Sequence, residues 1–362
     1  MSDKMEDMLG GSLEKPVGGD DRFALDVTSV ARHLVAHGKR LDLQFGAEHL
    51  SGGLSNLNYL VSVDGERMVL RRPPAGPLAL GAHDMVREHR ILSRLSTAFS
   101  AAPDSILLCQ DLSVIGVPFQ LIEYREGLVL TGDRLPPELD SPAKANTLSH
   151  ELISTLAALH DVDAASIGLG DFGRPEGFFE RNVAGWVKRA AALELDGDPG
   201  RFVDFLGTWL RERIPTPLAP ALLHSDFKLD NCMLGEDFRI HTVLDWDMGT
   251  RGDPLMDLAT LTSYWVEATD PECMHRLAQM PTTHPGFFSR AEAVQAYAEK
   301  SGREVSQFQP WRILALLKLG VVFFQLHRNW LNGNAGDDRY SGFAQLGADI
   351  LDFAAASTAQ PT

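Results

Sequence analysis

Apolar positions recur at helical intervals over Val27 to His37 and then alternate across Leu57 to Arg72, a change of period that predicts a helix followed by a small sheet. Asp64-Gly65 breaks the alternating stretch with a hairpin signal, so Leu57–Val63 and Arg67–Arg71 read as paired strands. Pro73-Pro74 and Gly76-Pro77 end the second strand. A helix from His83 to Leu95 follows, with Met85, Val86, Ile91, Leu92 and Leu95 as its apolar residues, and Ile106–Cys109 and Phe119–Ile122 supply two further strands. After Glu123 to Gly127 helical patterns dominate, at Ala145–His160, Gly177–Leu195, Arg201–Ile214, Leu255–Val266, Arg290–Lys300, Pro310–Leu331 and Phe343–Ala355. One segment interrupts them with short strands near Ala221–His224, Cys232–Leu234 and Ile240–Leu244. The expected class is α+β. Residues 1–22 read as a loose tail, 23–125 as a small strand-rich N-terminal lobe, and 126–362 as a larger, mostly helical lobe, the two sharing a cleft.

The interrupting segment carries the chemistry. His224-Ser225-Asp226-Phe227-Lys228-Leu229-Asp230-Asn231 is followed, fourteen residues after the asparagine, by Asp245 at the end of an apolar run. Phosphoryl transfer needs a carboxylate for the attacking hydroxyl, a cation for the transferred phosphate, and oxygen ligands for magnesium. Asp226 and Lys228 suit the first two tasks, and Asn231 and Asp245 the metal. Asp and Asn also cap turns, so the loop alone is ambiguous. A second strand delivering a carboxylate at its end tips the balance toward a site.

Signals on the nucleotide side are weaker. Gly53, Ser55 and Asn56 lie in a small-residue turn before the first hairpin, where backbone N–H groups suit phosphate, but a plain turn reads the same way. Arg71 ends the second hairpin strand, and Glu88, seventeen residues on, is the acid expected to pair with it; Arg72, Arg87 and Arg90 compete for the assignment. Backbone groups near Glu123 and Arg125 are candidates for the adenine edge.

At these residues the chain resembles the aminoglycoside phosphotransferase and choline kinase group, in the order Gly53–Asn56, Val69–Arg71, Arg87-Glu88, Glu123-Tyr124, His224–Asn231, Asp245 and Gly252–Leu258. Leu70–Gly76 and Arg87–Arg90 are most similar to bacterial phosphotransferases related to the kinase domain fused to acyl-CoA dehydrogenases. The resemblance implies a bilobal protein-kinase-like fold, ATP and Mg2+ as cofactors, Asp226 as base, Asn231 and Asp245 as metal ligands, and Arg71 with Glu88 as phosphate anchor. Ser225 departs from the glycine usual there, while Lys228 matches the protein-kinase loop. Asp253 and Asp257 open a helix and read as supports for the loop. No Ala-Pro-Glu segment follows Asp245, which favours a small hydroxylated acceptor, either a hydroxyacyl-CoA-like metabolite or an aminoglycoside-like amine.

Composition narrows the remaining classes. With 33 Lys and Arg against 49 Asp and Glu, the net charge of −16 argues against nucleic acid or an anionic membrane as partner. Cys109, Cys232 and Cys273 are widely spaced and three in number, so a reduced, cytoplasmic protein without a disulfide framework is expected. His150, His160, His224, His241 and His327 show no metal-ligand spacing. Trp311, Phe323, Phe324, His327 and Trp330 form an aromatic run read as core, or else as an acceptor wall. A catalytically silent nucleotide-binding module is the alternative function, although none of the required loop residues is missing.

Overall fold

The computed structural model describes residues 24–50, 56–74, 84–333 and 338–359. In chain order the elements are α1 (Val27–Ala36), β1 (Ala47–Leu50), β2 (Leu57–Val63), β3 (Glu66–Arg72), α2 (Met85–Leu95), β4 (Ser105–Cys109), α3 (Leu112–Ile115), β5 (Phe119–Glu123), β6 (Leu128–Val129), α4 (Pro142–His160), α5 (Phe178–Ala191), α6 (Asp198–Arg211), β7 (Ala221–Leu223), β8 (Cys232–Leu234), β9 (Ile240–Val243), β10 (Thr250–Gly252), α7 (Leu255–Ser263), α8 (Glu272–His275), α9 (Arg290–Ser301), α10 (Phe308–Leu331) and α11 (Phe343–Ser357).

Two compact units result: residues 1–85 with 107–124, and residues 86–106 with 125–362. The sequence reading placed all of 23–125 in the first lobe, whereas the α2 segment from Val86 groups with the second unit. Buried side chains explain part of this, because a Cβ on Gly249 would lie 2.3 Å from Ile91 of α2.

In the first unit an antiparallel sheet runs in the order β1-β2-β3-β5-β4. The hairpin turns at Asp64-Gly65, both at positive φ, and pairs Leu57 with Arg72 and Val63 with Glu66. Tyr59, Val61 and Val63 bury one face of β2, Leu70 and Leu121 continue the core across β3 and β5, and Val30 and Leu34 of α1 are also fully buried. Strand β1 was not expected, since four residues with a half-exposed pattern carry little signal.

In the second unit, α7 is buried at every position from Leu255 to Ser263. A helix enclosed on all sides belongs at the centre of a helical core, and α10, with Leu314 and Leu317 buried, packs against it. Two expected helix starts are displaced for one reason: Pro142 and Pro199 occupy the first turns of α4 and α6, where their missing N–H costs nothing. Short antiparallel pairs, β7 with β10 and β6-β8-β9, interrupt the helices where the sequence places the candidate loop. Among the described residues no helix is long and apolar enough to cross a membrane.

Candidate active site

Strand β7 ends at Leu223 and delivers His224, Ser225 and Asp226; a 3-10 turn at Leu229–Asn231 then leads into β8. β8 pairs with β9, Cys232 opposite Val243, so Asn231 and Leu244 lie at the same end of this hairpin. The Leu244 N–H donates to the Asn231 carbonyl at 2.8 Å, which sets Asp245 beside Asn231. The Asn231 side-chain N–H donates to the Asp226 carbonyl at 2.8 Å and to Asp226 Oδ2 at 3.2 Å. Asp226, Asn231 and Asp245 are therefore gathered at one end of one hairpin. Asp245 has φ 64° and Ser225 φ 70°, so the loop holds two non-glycine residues in the left-handed region on either side of the site.

Lys228 Nζ lies 3.5 Å from Asp226 Oδ2 and 2.9 Å from Asp230 Oδ2. Burial alone would lower its pKa, but the charges of Asp226, Tyr264 and Asp230 outweigh it and hold the ammonium protonated far above the ordinary lysine range. Burial raises the Asp230 pKa, with Lys228 opposing.

The loop is held from beneath. Asp257, fully buried in the first turn of α7, accepts the His224 N–H at 2.6 Å on Oδ2 and the Ser225 N–H at 2.8 Å on Oδ1. Burial would raise its pKa; the hydrogen bond and charge of His160, the charge of His224 and the loop N–H bring it below the usual carboxylate value. His160 continues the chain to the Tyr297 hydroxyl at 2.7 Å. Asp253 accepts the Leu218 and Leu255 N–H groups at 2.8 and 3.0 Å. Both acids thus sit where the supporting reading placed them. The Asp226 N–H donates to His224 Nδ1 at 3.2 Å, which leaves Nε2–H to donate to the Leu244 carbonyl at 2.7 Å and ties the two halves of the site together.

The nucleotide-side candidates divide between the units. Gly53 and Ser55 lie outside the described residues, and Asn56 is buried. Arg71, on β3 of the first unit, donates to Asn58 Oδ1 at 3.3 Å. Glu88, in the second, is 1% exposed and accepts the Trp246 N–H at 3.3 Å, so it braces the residue after Asp245. Glu123 ends β5. The Arg125 guanidinium donates to the carbonyls of Ser100, Ala102 and His241 at 2.7, 3.0 and 3.0 Å, a structural staple that the sequence did not suggest.

Sequence reasoning also missed a cavity of about 590 Å3 in the second unit, with Ser225 and Lys318 in its lining. Lys318 is buried on α10, and its Nζ donates to the Ser225 carbonyl at 2.7 Å. One cation inside the apolar run Ala315–Val321 was the available signal. The aromatic run of α10 does not line the cavity: Trp311 is buried behind Phe178 and Phe179, with ring centroids 6.3 and 4.8 Å away. The aromatic lining comes instead from Phe172, Phe178 and Trp186.

An antiparallel sheet unit, a helical unit and a loop carrying Asp226, Asn231 and Asp245 define the kinase-like phosphotransferases as a class. Residues 46–292 match the phosphotransferase enzyme family, and the chain belongs to it. It is 33% identical over 286 residues to mouse (Mus musculus) acyl-CoA dehydrogenase family member 10, a match covering 78% of this chain and 26% of that protein. Across the acyl-CoA dehydrogenase relatives it matches, the chain spans between 26% and 40% of their length. A Ralstonia eutropha protein solved as a candidate aminoglycoside phosphotransferase has the same fold, with TM-score 0.78 and 24% identity over 94% of this chain and 100% of its own. The aminoglycoside phosphotransferase APH(4)-Ia, solved with ADP and hygromycin B, shares it at TM-score 0.60 and 16% identity over 92% of this chain and 99% of its own.

Proposed function

We propose that the protein transfers the γ-phosphoryl group of ATP, with Mg2+, to a hydroxyl of a small molecule. The convergence of Asp226, Asn231 and Asp245 at one hairpin end carries this reading. The Asp226 carboxylate takes the acceptor's proton as its oxygen bonds to the γ-phosphorus. The bond from that phosphorus to the β–γ bridging oxygen breaks, and ADP leaves. Lys228 brings a positive charge to the transferred group from 3.5 Å beyond Asp226. Little covalent work falls to the protein, so positioning and electrostatics supply the rate.

The donor set suits magnesium. Asn231 spends its amide nitrogen on Asp226, which turns its oxygen toward a cation, and Asp245 adds a carboxylate; two hard oxygens, with phosphate and water completing the shell, are what Mg2+ accepts. When bound, the ion neutralises charge on the nucleotide phosphates. In the first unit, residues 56–74 with Arg71 serve the nucleotide: Arg71 supplies a permanent cation for the α and β phosphates, Gly53, Ser55 and Asn56 their backbone and side-chain donors, and Glu123 the adenine edge. Glu88 and Arg125, in the second unit, act through the segments they brace. The ADP complex of APH(4)-Ia supports ATP as donor. The acceptor is either a hydroxyacyl-CoA-like metabolite, in keeping with the acyl-CoA dehydrogenase relatives, or an aminoglycoside-like amine, in keeping with the structural neighbours.

The deciding experiment couples ATP consumption to product mass over hydroxylated metabolites, acyl-CoA thioesters and aminoglycosides. A phosphorylated acceptor is expected, with Asp226→Ala lowering kcat by roughly 100- to 10,000-fold and Asp245→Ala abolishing turnover. Near wild-type turnover in either variant overturns the residue assignment. Binding of Mg-ATP without any product across the panel would favour a silent nucleotide-binding module instead.

A further inference from the structure

The cavity beside Ser225 is lined by six cations, Arg87, Arg90, Arg174, Arg181, Arg189 and Lys318, and by no acid. This runs against the composition of a chain whose net charge is −16. The cations are not spread evenly. Arg174, Arg181 and Arg189 are exposed, while Lys318 is buried and hydrogen-bonded to the residue before Asp226. Phe172, Trp186 and Met256, all buried, also line it, with exposed Met248 at its edge. The cavity thus has a basic mouth, apolar walls and a floor at the candidate catalytic loop.

The mouth is organised for anions by its helix. Phe178, Asn182, Trp186 and Arg189 follow one another on α5 at steps of four, four and three residues, and Arg181 stands three residues after Phe178, which puts them on one face. Arg189 lies over the Trp186 ring, 4.8 Å from guanidinium carbon to centroid, which fixes its plane. Arg181 donates to the backbone carbonyls of Glu176 and Arg174, which closes the loop before α5 and holds Arg174 near the same opening. Arg90 is already matched, by exposed Asp171 at 2.7 Å. Among the described residues neither Arg174 nor Arg189 has a carboxylate partner. Guanidinium groups held this way match the planar oxygens of carboxylate and phosphate, whereas a polyamine would meet the like charges of Arg174, Arg181 and Arg189.

We propose that the acceptor is an anion, bound with its hydroxyl at the Ser225 floor, one residue from Asp226, and with a phosphate or carboxylate group held at the mouth by Arg174, Arg181 and Arg189. This rests on the phosphoryl-transfer reading and selects within it: an apolar body of a few carbons spans the aromatic walls, and cationic aminoglycosides are excluded.

The test has a catalytic arm and a binding arm. With ATP and Mg2+, wild-type protein is offered hydroxy acids, sugar phosphates and hydroxyacyl-CoA thioesters on one side and aminoglycosides on the other. Phosphorylation confined to the anions is expected, and the double variant Arg181→Gln, Arg189→Gln should raise KM for the acceptor at least 10-fold, with KM for ATP as internal reference. The pattern among carboxylate and phosphate acceptors then separates the two head groups. Phosphorylation of aminoglycosides alone would overturn the anion proposal and leave the kinase reading standing. If nothing is phosphorylated, the kinase reading fails, and calorimetry with the same sugar phosphates and CoA thioesters on AMP-PNP-saturated protein decides the cavity: binding weakened at least 10-fold in the double variant supports an anion site, and absent or unchanged binding overturns it. Arg174→Gln, at an exposed loop position, repeats both arms should the double variant melt early.

Discussion

At the scale of single residues, the site depends on groups that touch no substrate. Asp257 places a carboxylate in a core from which water is excluded, a costly arrangement unless its oxygens are fully used, and two loop N–H groups with His160 use them. Asp257→Asn replaces one acceptor by a donor facing N–H groups, so we expect a loss of about 3–5 kcal/mol by chemical denaturation, in the range for breaking buried charged networks, and a fall in kcat with little change in KM for ATP. Because its folded pKa is depressed, Asp257 contributes stability above its unfolded value near 3.8 that is lost as pH falls through the folded value. Melting temperature below pH 4 should therefore fall less steeply in Asp257→Asn than in wild type; parallel acid limbs would remove Asp257 from the cause. Ser225 tests the backbone instead. At φ 70° a serine carries a strain that glycine lacks, while glycine costs entropy in the unfolded chain, so Ser225→Gly should shift stability by less than about 1 kcal/mol. Ser225→Val, which adds β-branching to the same strain, should lose more than about 1 kcal/mol in the same denaturation series.

Among elements, what the sequence disclosed and what it withheld follow from the range of the interactions involved. The Asp64-Gly65 hairpin and the apolar run into Asp245 are local patterns, and both were legible. So was the convergence of Asp226, Asn231 and Asp245, because a short hairpin joins them. The arginine-lined cavity was not, since Phe172 and the α5 face meet Ser225 and Lys318 only through the packing of α5 and α10 in three dimensions. Nor was the grouping of α2 with the second unit, which depends on Ile91 lying against the Gly249 backbone. The α10–α11 crossing is another such contact. A Cβ at Gly347 would meet the Gly320 carbonyl at 2.8 Å, and one at Gly320 would meet Leu351 at 2.8 Å, so the helices approach backbone to backbone. Gly347→Ala should cost about 1–3 kcal/mol, as overpacking does. Gly320 stands two residues from Lys318, so the forced displacement of α10 should also lower kcat. A stability loss with unchanged turnover would show that Lys318 tolerates the shift.

For the molecule as a whole, the distribution of charge matters more than its sum. A chain of net charge −16 repels an anionic acceptor at long range, while the cavity attracts it at short range. These two fields respond differently to salt. At about 0.1 M ionic strength the Debye length is roughly 10 Å, so added salt first screens the diffuse repulsion between the acidic surface and the approaching ligand. Further salt then competes for the exposed guanidiniums at the mouth. Buried Lys318 is screened least. KM for an anionic acceptor is therefore expected to be flat or slightly falling between about 10 and 100 mM salt and to rise several-fold by about 1 M, where the screening length has dropped to roughly 3 Å. In the double variant Arg181→Gln, Arg189→Gln the high-salt rise should shrink, because two of the three mouth charges being screened are gone. Steady-state kinetics over that salt series, with KM for ATP followed in parallel, checks this. An acceptor KM that fell monotonically with salt in both proteins would mean that net charge alone governs acceptor binding and that the arginines at the mouth do not take part.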